Sequence, residues 1–558
     1  MNLGKLRQKC IEQWKDSKSE IIFICRWSWP MIVSNLLNNV LYLFVNLIFV
    51  GQGGTPESKD ELAAAALANT WTYGTGGIAL GILNALDTLI SQSYGAKNFE
   101  YVGILVQRAA SITSGVSVFI AALWCITDYF LKLVGQNHEI SNLAFKYALM
   151  LLPGLWFYNM TICMQKYLQG QGLMMPSIYI GLAINGINVF LNYLLVYGMG
   201  SYNGMGYLGA PLATSISRII GFFLMWGYIY VFKLHKKTWF GWTKESITFK
   251  GIKEYLTLGI PAAIQHVSEG WCFEVLTILA GLISTHDLDA HNVCYNFTTL
   301  TYQISSGISI AVAVRVGHLL GSRHPFQARR AAWVGFILAM LAMIVVAIVL
   351  VAARYQIGKI YTKDQDVINI AAKILPIAAL FQIFDGGQTI FQGIVRGMGR
   401  IKTGAISNFI AFYLITIPFA VGLTFGADVG VTGLWWGLCI GLISIFIGLG
   451  IFIVLVKWPV EVEKAKIRTK TLAPTLSLDQ IPLEKIPPHL RQNQSDAATP
   501  PGGSPVSTDS IISNVSTDQS TNISITVSTT HLIPSSNEEQ QEQQNQNSTT
   551  TTANENTK

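Results

Sequence analysis

The stretch IPAAIQHVSEGWCFEVLTILAGL, residues 260–282, is long and apolar enough to cross a bilayer, yet it holds two carboxylates, Glu269 and Glu274. A spanning helix needs about 20 mainly apolar residues to cross the hydrocarbon core. A carboxylate at mid-bilayer costs about 2.5–3.5 kcal/mol on insertion scales, so it must face protein or water rather than lipid. Reading outward from this run for others of its length gives twelve candidate spans, centred near Leu36, Gly77, Val116, Leu155, Ile187, Phe222, Cys272, Ser305, Met340, Leu380, Phe412 and Leu442. Pro30, Pro153, Pro261, Pro376 and Pro418 fall inside spans and predict bent or tilted helices.

Composition agrees with a polytopic membrane protein. Of 558 residues, 51% are hydrophobic and 12% charged, against about 25% charged in an ordinary soluble domain, and the mean hydropathy is +0.41. A water-soluble enzyme is excluded by that balance, and the 11% aromatic content excludes a disordered chain. The seven cysteines are scattered, without the spacing of a disulfide framework or a zinc site. No phosphate-cradling loop, metal-ligand pattern or nucleophile elbow occurs, so neither an enzyme, an ATP-driven pump nor a cofactor is indicated.

The first twenty residues are too polar for a signal peptide, which places the N-terminus in the cytosol. The even-numbered turns then bring Lys97 and Arg108, Lys166, the Lys233–Lys253 cluster, Arg315–Arg330 and Arg396–Lys402 to the same side, as the positive-inside rule requires. Arg354, Lys359, Lys363 and Lys373 form the least conforming stretch, basic yet outside. The basic aromatic loop FKLHKKTWFGW (232–242) suits an anionic inner leaflet better than nucleic acid.

The halves echo one another at an offset of about 225–230 residues. Pro30 answers Pro261, Leu152-Pro153 answers Leu375-Pro376, Gly81 and Gly95 answer Gly307 and Gly321, and Gly206 and Gly209 answer Gly430 and Gly433. Each half has an even number of spans, so the two repeats share topology and should enclose a central cavity. The expected organisation is an all-α membrane protein of two six-helix lobes. Residues 1–20 form a cytosolic segment, 21–232 the first lobe, 233–253 a cytosolic linker and 254–458 the second lobe. Residues 459–558 form a polar, disordered cytosolic tail. The sequons at Asn493, Asn514, Asn522 and Asn547 are expected to stay unmodified there.

Chemistry concentrates on Glu269, Glu274 and Asp385, the last in FDGGQTIFQGIVRG (384–397). Left charged against lipid they would together cost on the order of 8–10 kcal/mol, comparable with a whole domain's stability, so a shared polar cavity is required. Five residues turn a helix by about 140°, so Glu269 and Glu274 do not stack on one face. Gln265, His266, Asn38, Gln382 and Gln388 are the candidate neutral polar groups of that cavity, and no Lys or Arg stands out to neutralise the acids. At least one carboxyl should then exchange a proton near neutral pH, giving a site open to protons or a cation, with no metal implied. Asp87 reads as a structural acid near a helix end, His266 as a packed core histidine before a proton relay, and Arg26 and Arg218 as packing or snorkelling charges.

These residues resemble the multidrug and toxic compound extrusion (MATE) family, especially its eukaryotic branch. The likeness is carried by ALDTLISQSYGAKN (85–98), EGWCFEVLTILAGL (269–282), AVRVGHLLGS (313–322) and FDGGQTIFQGIVRGMGRIKTGA (384–405), and covers about residues 20–458. It implies a twelve-helix antiporter that exports small organic cations or weakly basic compounds in exchange for protons by rocking its lobes. The membrane would be the plasma membrane or a vacuolar one, the partners its cargo, protons and lipid, and the protein a monomer. Glu269, Glu274 and Asp385 fall on the family's cavity acids. The first span departs from many bacterial relatives: it has Asn35, Asn38, Asn39 and Asn46 in place of a coupling aspartate, which moves the expected cation site to the second lobe. Sodium coupling, organic-anion export and lipid or glycan flipping are the alternatives on the same architecture.

Overall fold

A computed structural model of the chain describes residues 3–51, 58–200 and 203–470. Among them, twelve long helical rods follow in order. They are α1 (3–51, bent by a wide turn at Leu36–Leu41), α2 (58–95, interrupted at Asn84), α3 (Phe99–Cys125), α4 (His138–Gly170), α5 (Pro176–Tyr197), α6 (Gly206–Val231), α7 (Phe249–Gly281), α8 (Thr285–Gly321), α9 (Pro325–Ala352), α10 (Gln365–Met398), α11 (Ile401–Gly426) and α12 (Val431–Leu455). A shorter α13 (Trp458–Arg468) follows. Nine of the rods are long and apolar enough to cross a membrane by composition alone. α7 is not among these nine, because Gln265, His266, Ser268, Glu269 and Glu274 depress its hydropathy.

Local sequence explains the helix ends. The side chains of Asn98, Asn137, Ser284 and Asp364 accept the exposed amides at the starts of α3, α4, α8 and α10. Pro176 and Pro325 open α5 and α9, where a missing N–H costs nothing. Gly399 closes α10 with φ 73°, a backbone angle that favours glycine. Ile337, Leu341, Val345 and Ile348 of α9 are exposed, an apolar stripe suited to lipid.

The expected duplication is visible in the packing. In the first lobe α4 packs on α2, α3 and α6; in the second, α10 packs on α8, α9 and α12. Short helices, Thr127–Leu133 and Arg354–Tyr361, follow α3 and α9 at equivalent places. Between the lobes α1 packs on α8 and, as its counterpart, α7 packs on α2.

The repeated glycines sit on this seam. Gly81 lies against the backbone of Ala263, and Gly307 against Ile32. Gly95 meets the His318 backbone, and Gly321 meets Gln92 and Ala96. A Cβ at any of the four would come within 3.0 Å of its neighbour, so these positions let the lobes touch backbone to backbone. Gln92 Nε2 donates to the Gly397 carbonyl across the seam at 2.8 Å, and His318 Nε2 lies 2.7 Å from the Gly170 carbonyl oxygen. The lobes are thus closed at the face that carries the linker.

Four sequence expectations need correction. The linker is 232–248, because α7 begins at Phe249 under Thr248 rather than after 253. Order continues past 458: Trp458, Val462 and Ala465 of α13 are buried, so 459–470 is structured, while the rest of the tail and its sequons lie outside the described residues. Lys166 is not a loop cation but is buried inside α4. Arg108 is likewise buried in α3, its guanidinium donating to the Glu245 and Ser246 carbonyls of the linker at 3.1 and 3.3 Å.

α13 bridges the closed face. Arg400 grips Glu461 at 2.9–3.2 Å, Arg468 donates to Gln92 Oε1 at 2.9 Å, and Asn98 donates to the Thr469 carbonyl at 3.0 Å. Lys470 pairs with Glu245 at 2.7 Å. That ammonium holds the Glu245 carboxyl below the usual carboxylate range, and the same hydrogen bond raises Lys470.

Candidate functional site

Two cavities lie along the seam and share Asn38, Tyr73, Tyr158, Gln165, Tyr295 and Gln303. The first, of about 290 Å³, is lined by Glu269, Asp385, Gln265 and His266. The second, of about 450 Å³, is lined by Glu274, Thr277, Asn292, Asn296 and Arg218. The turn of α7 between Glu269 and Glu274 explains why they face different chambers: the rotation separates them, and the gap between lobes is wide enough to receive both.

Asp385 is anchored, whereas the glutamates are not. Asp385 accepts from Gln388 Nε2 at 3.1 Å; Gln392 Nε2 donates to Gln388 Oε1 and also to Asn408 Oδ1 of α11, the latter at 2.8 Å. A row of amides therefore supports one face of the carboxyl. Among the described residues, no side chain hydrogen-bonds to or ion-pairs with Glu269 or Glu274. Gly386 and Gly387 do not unwind α10; they admit Met343 and Phe446 into close packing, so of the two readings of that pair, packing holds. Aromatic walls come from Tyr73, Tyr158, Phe273, Tyr295 and Tyr302, surfaces that attract cations through their π faces.

The structure places the other sequence candidates as follows. Gln265, His266 and Asn38 line the first chamber, and Asn38 donates to Ser34 Oγ at 3.1 Å. Gln382 and Gln388 do not line it: Gln382 is fully buried against Met343, and Gln388 stands behind Asp385. Asp87, fully buried, forms an ion pair with Lys166 at 2.8 Å rather than capping a helix end. Asn46 belongs to a neutral first-lobe network, donating to Thr214 and accepting from Asn192, both at 3.0 Å. Asn35 donates to Ser306 across the seam at 3.3 Å, and the Asn39 side chain lies outside the described residues.

The absence of cavity cations expected from the sequence is wrong. Arg396 and Lys166 both line the first chamber, and Arg218, stacked 4.5 Å over the Tyr158 ring, lines the second. Arg396 escaped notice because it looks like a loop residue beside Arg400 and Lys402, although α10 runs on to Met398. One signal was available: eleven residues bring a helix back to nearly the same face, so Arg396 shares the face of Asp385.

Two equivalent six-helix lobes holding a polar, aromatic-walled chamber between them define a membrane transporter of the two-lobed kind. The MatE family model matches residues 30–194 in the first lobe and 261–421 in the second. Multidrug and toxin extrusion protein 1 of Homo sapiens is 32% identical over 431 residues, 76% of this chain and 73% of that protein. Protein DETOXIFICATION 16 of Arabidopsis thaliana is 31% identical over 471 residues, 84% of this chain and 95% of that one. The crystal structure of the eukaryotic MATE transporter AtDTX14 superposes with a TM-score of 0.76 at 27% identity, covering 81% of this chain and all of that one. The chain belongs to the MatE family.

Proposed function

We propose that this transporter exports organic cations or weakly basic compounds from the cytosol in exchange for protons. The observation that carries this reading is Glu269: a carboxylate facing the inter-lobe chamber with no paired side chain among the described residues, close to the buried Asp385. In a low-dielectric chamber such groups hold either protons or a positively charged passenger. Proton uptake from the far side neutralises the carboxyls and frees the cation, and rocking about the glycine seam exposes the chamber to each side in turn. The closed linker face is then the cytosolic one, and the structure is the outward-facing member of the cycle. Exchanging one proton for one monovalent cation is electroneutral and runs on the pH gradient, about 1.4 kcal/mol per pH unit.

The test is efflux of hexyltrimethylammonium from proteoliposomes under an imposed pH or sodium gradient. Wild type should respond to the proton gradient; Glu269→Gln and Asp385→Asn should each lose at least about tenfold in exchange rate, a loss of about 1.4 kcal/mol or more. Glu274→Gln, in the second chamber, should weaken cation affinity more than the pH response. Normal proton-driven exchange by both the Glu269 and Asp385 variants would remove the basis of the reading, and response to sodium alone would replace the coupling ion. A second reading, export of organic anions, is favoured by Arg396 on the chamber wall, which pairs with no carboxylate among the described residues.

A further inference from the structure

We propose that the first chamber is a bipolar site selective for extended organic zwitterions, with the acids taking the cationic end and Arg396 taking a carboxylate at the other. The proposal rests on the reading that Glu269 and Asp385 bind the passenger cation. Three cations near the chamber or the closed face have carboxylate partners, and among the described residues Arg396 does not. Arg315 is held by Glu20 at 2.6 Å, Arg400 by Glu461 at 2.9 Å and Lys166 by Asp87 at 2.8 Å. Among the described residues no carboxylate pairs with Arg396; its Nη2 donates to Ser309 Oγ at 3.0 Å and its buried Nε has no hydrogen-bond partner.

A guanidinium at the wall of a chamber, with no carboxylate of its own among the described residues, is matched to a carboxylate, which the terminal nitrogens of its planar fork can engage through two parallel hydrogen bonds. Spacing sets the shape of the ligand. Asp385 and Arg396 lie about 20° apart around α10 and about 16 Å apart along it. Side chains on a helix lean toward its N-terminus, so the long arginine reaches back toward Asp385 and shortens the gap. Glu269 faces the same space from α7, within electrostatic reach of Arg396. A compact amino acid cannot touch both poles. A molecule with its two charges several bonds apart can, and its spacer would lie against Tyr302 and Phe273.

The test uses two probes of equal length, hexyltrimethylammonium and 6-(trimethylammonio)hexanoate, with heptanoate as the purely anionic control. Equilibrium binding to the purified full-length protein is measured for all three. Wild type should hold the zwitterion at least as tightly as the cation, although a carboxylate buried without a partner would be penalised. In Arg396→Gln the ratio of zwitterion to cation affinity should fall about tenfold or more, and in Arg396→Lys, which keeps charge but loses the fork, by less. Should Arg396→Gln fail to fold, Ser309→Ala, which frees the guanidinium from its anchor, should lower the same ratio several-fold. A wild-type ratio below about one-tenth, a Gln variant that weakens both probes equally, or heptanoate binding as tightly as the zwitterion would each overturn the proposal. Failure of hexyltrimethylammonium to bind wild type would instead sink the cation reading beneath it.

Discussion

Replacing Gly95 by alanine should bias the conformational equilibrium away from the observed state. A Cβ at Gly95 would lie 2.7 Å from the Cα and 2.8 Å from the carbonyl carbon of His318, where ordinary contact begins at 3.4 Å. Both obstacles are backbone, so neither can swing aside, and the lobes must part by several tenths of an ångström at their tightest point. Overpacking of this kind costs about 1–3 kcal/mol, which multiplies the population of the opposite arrangement by about 5–150. Alanine's better helix propensity acts in both arrangements and does not bias them. The assay is a spin-label distance between Glu100→Cys and Gln327→Cys, both exposed near this seam. The distance distribution should gain a longer component in Gly95→Ala, and Gly321→Ala, which meets Ala96 N at 2.9 Å, should reproduce it. A distribution identical to wild type in both variants would refute the view that the glycine seam holds this face shut.

Three further outcomes are expected. Lys166→Met leaves Asp87 charged and alone in a fully buried place, so it should destabilise by about 3–5 kcal/mol; the thermal midpoint in detergent checks this, and adding Asp87→Asn should restore most of the loss. The strap from Lys470 to Glu245 should be pH-sensitive in a defined window: a lowered carboxyl contributes above its free value and loses that contribution as pH falls through the folded one, while a raised lysine loses its contribution as pH rises through its own. The contact is therefore intact between about pH 5 and 10, and proteolysis near residue 470 should quicken as pH drops from 6 toward 3.5, whereas Lys470→Ala should already be fast at pH 6. Gly387→Leu should lower stability by about 1–3 kcal/mol in the same thermal assay, because its side chain would collide with the Phe446 ring.

Apolar runs of membrane length, the repeated glycines and the three acids were legible because each is a local signal: lipid contact is recorded residue by residue, and a charge inside an apolar run stands out. Lys166 and Arg108 were misread because both lie near the end of an apolar run, where hydropathy cannot tell a buried side chain from a loop one; their partners, Asp87 and the linker carbonyls, are distant in sequence. Arg396 failed for the same reason. α13 was invisible because its charges give no membrane signal, and its order depends on Arg400, Gln92, Asn98 and Glu245 from four other parts of the chain. The assignment of Glu269 and Glu274 to separate chambers needed the shape of the gap between lobes, which no helical period contains.

Among the described residues the acids lining the two chambers, Glu269, Glu274 and Asp385, all belong to α7 and α10, in the second half of the chain. On the proposed cycle a passenger would ride that half like freight on a turntable, while the asparagine-rich half acts as the shutter. The same pocket would then be shown to both compartments, and net direction would come from what each compartment supplies rather than from any remodelling of the grip.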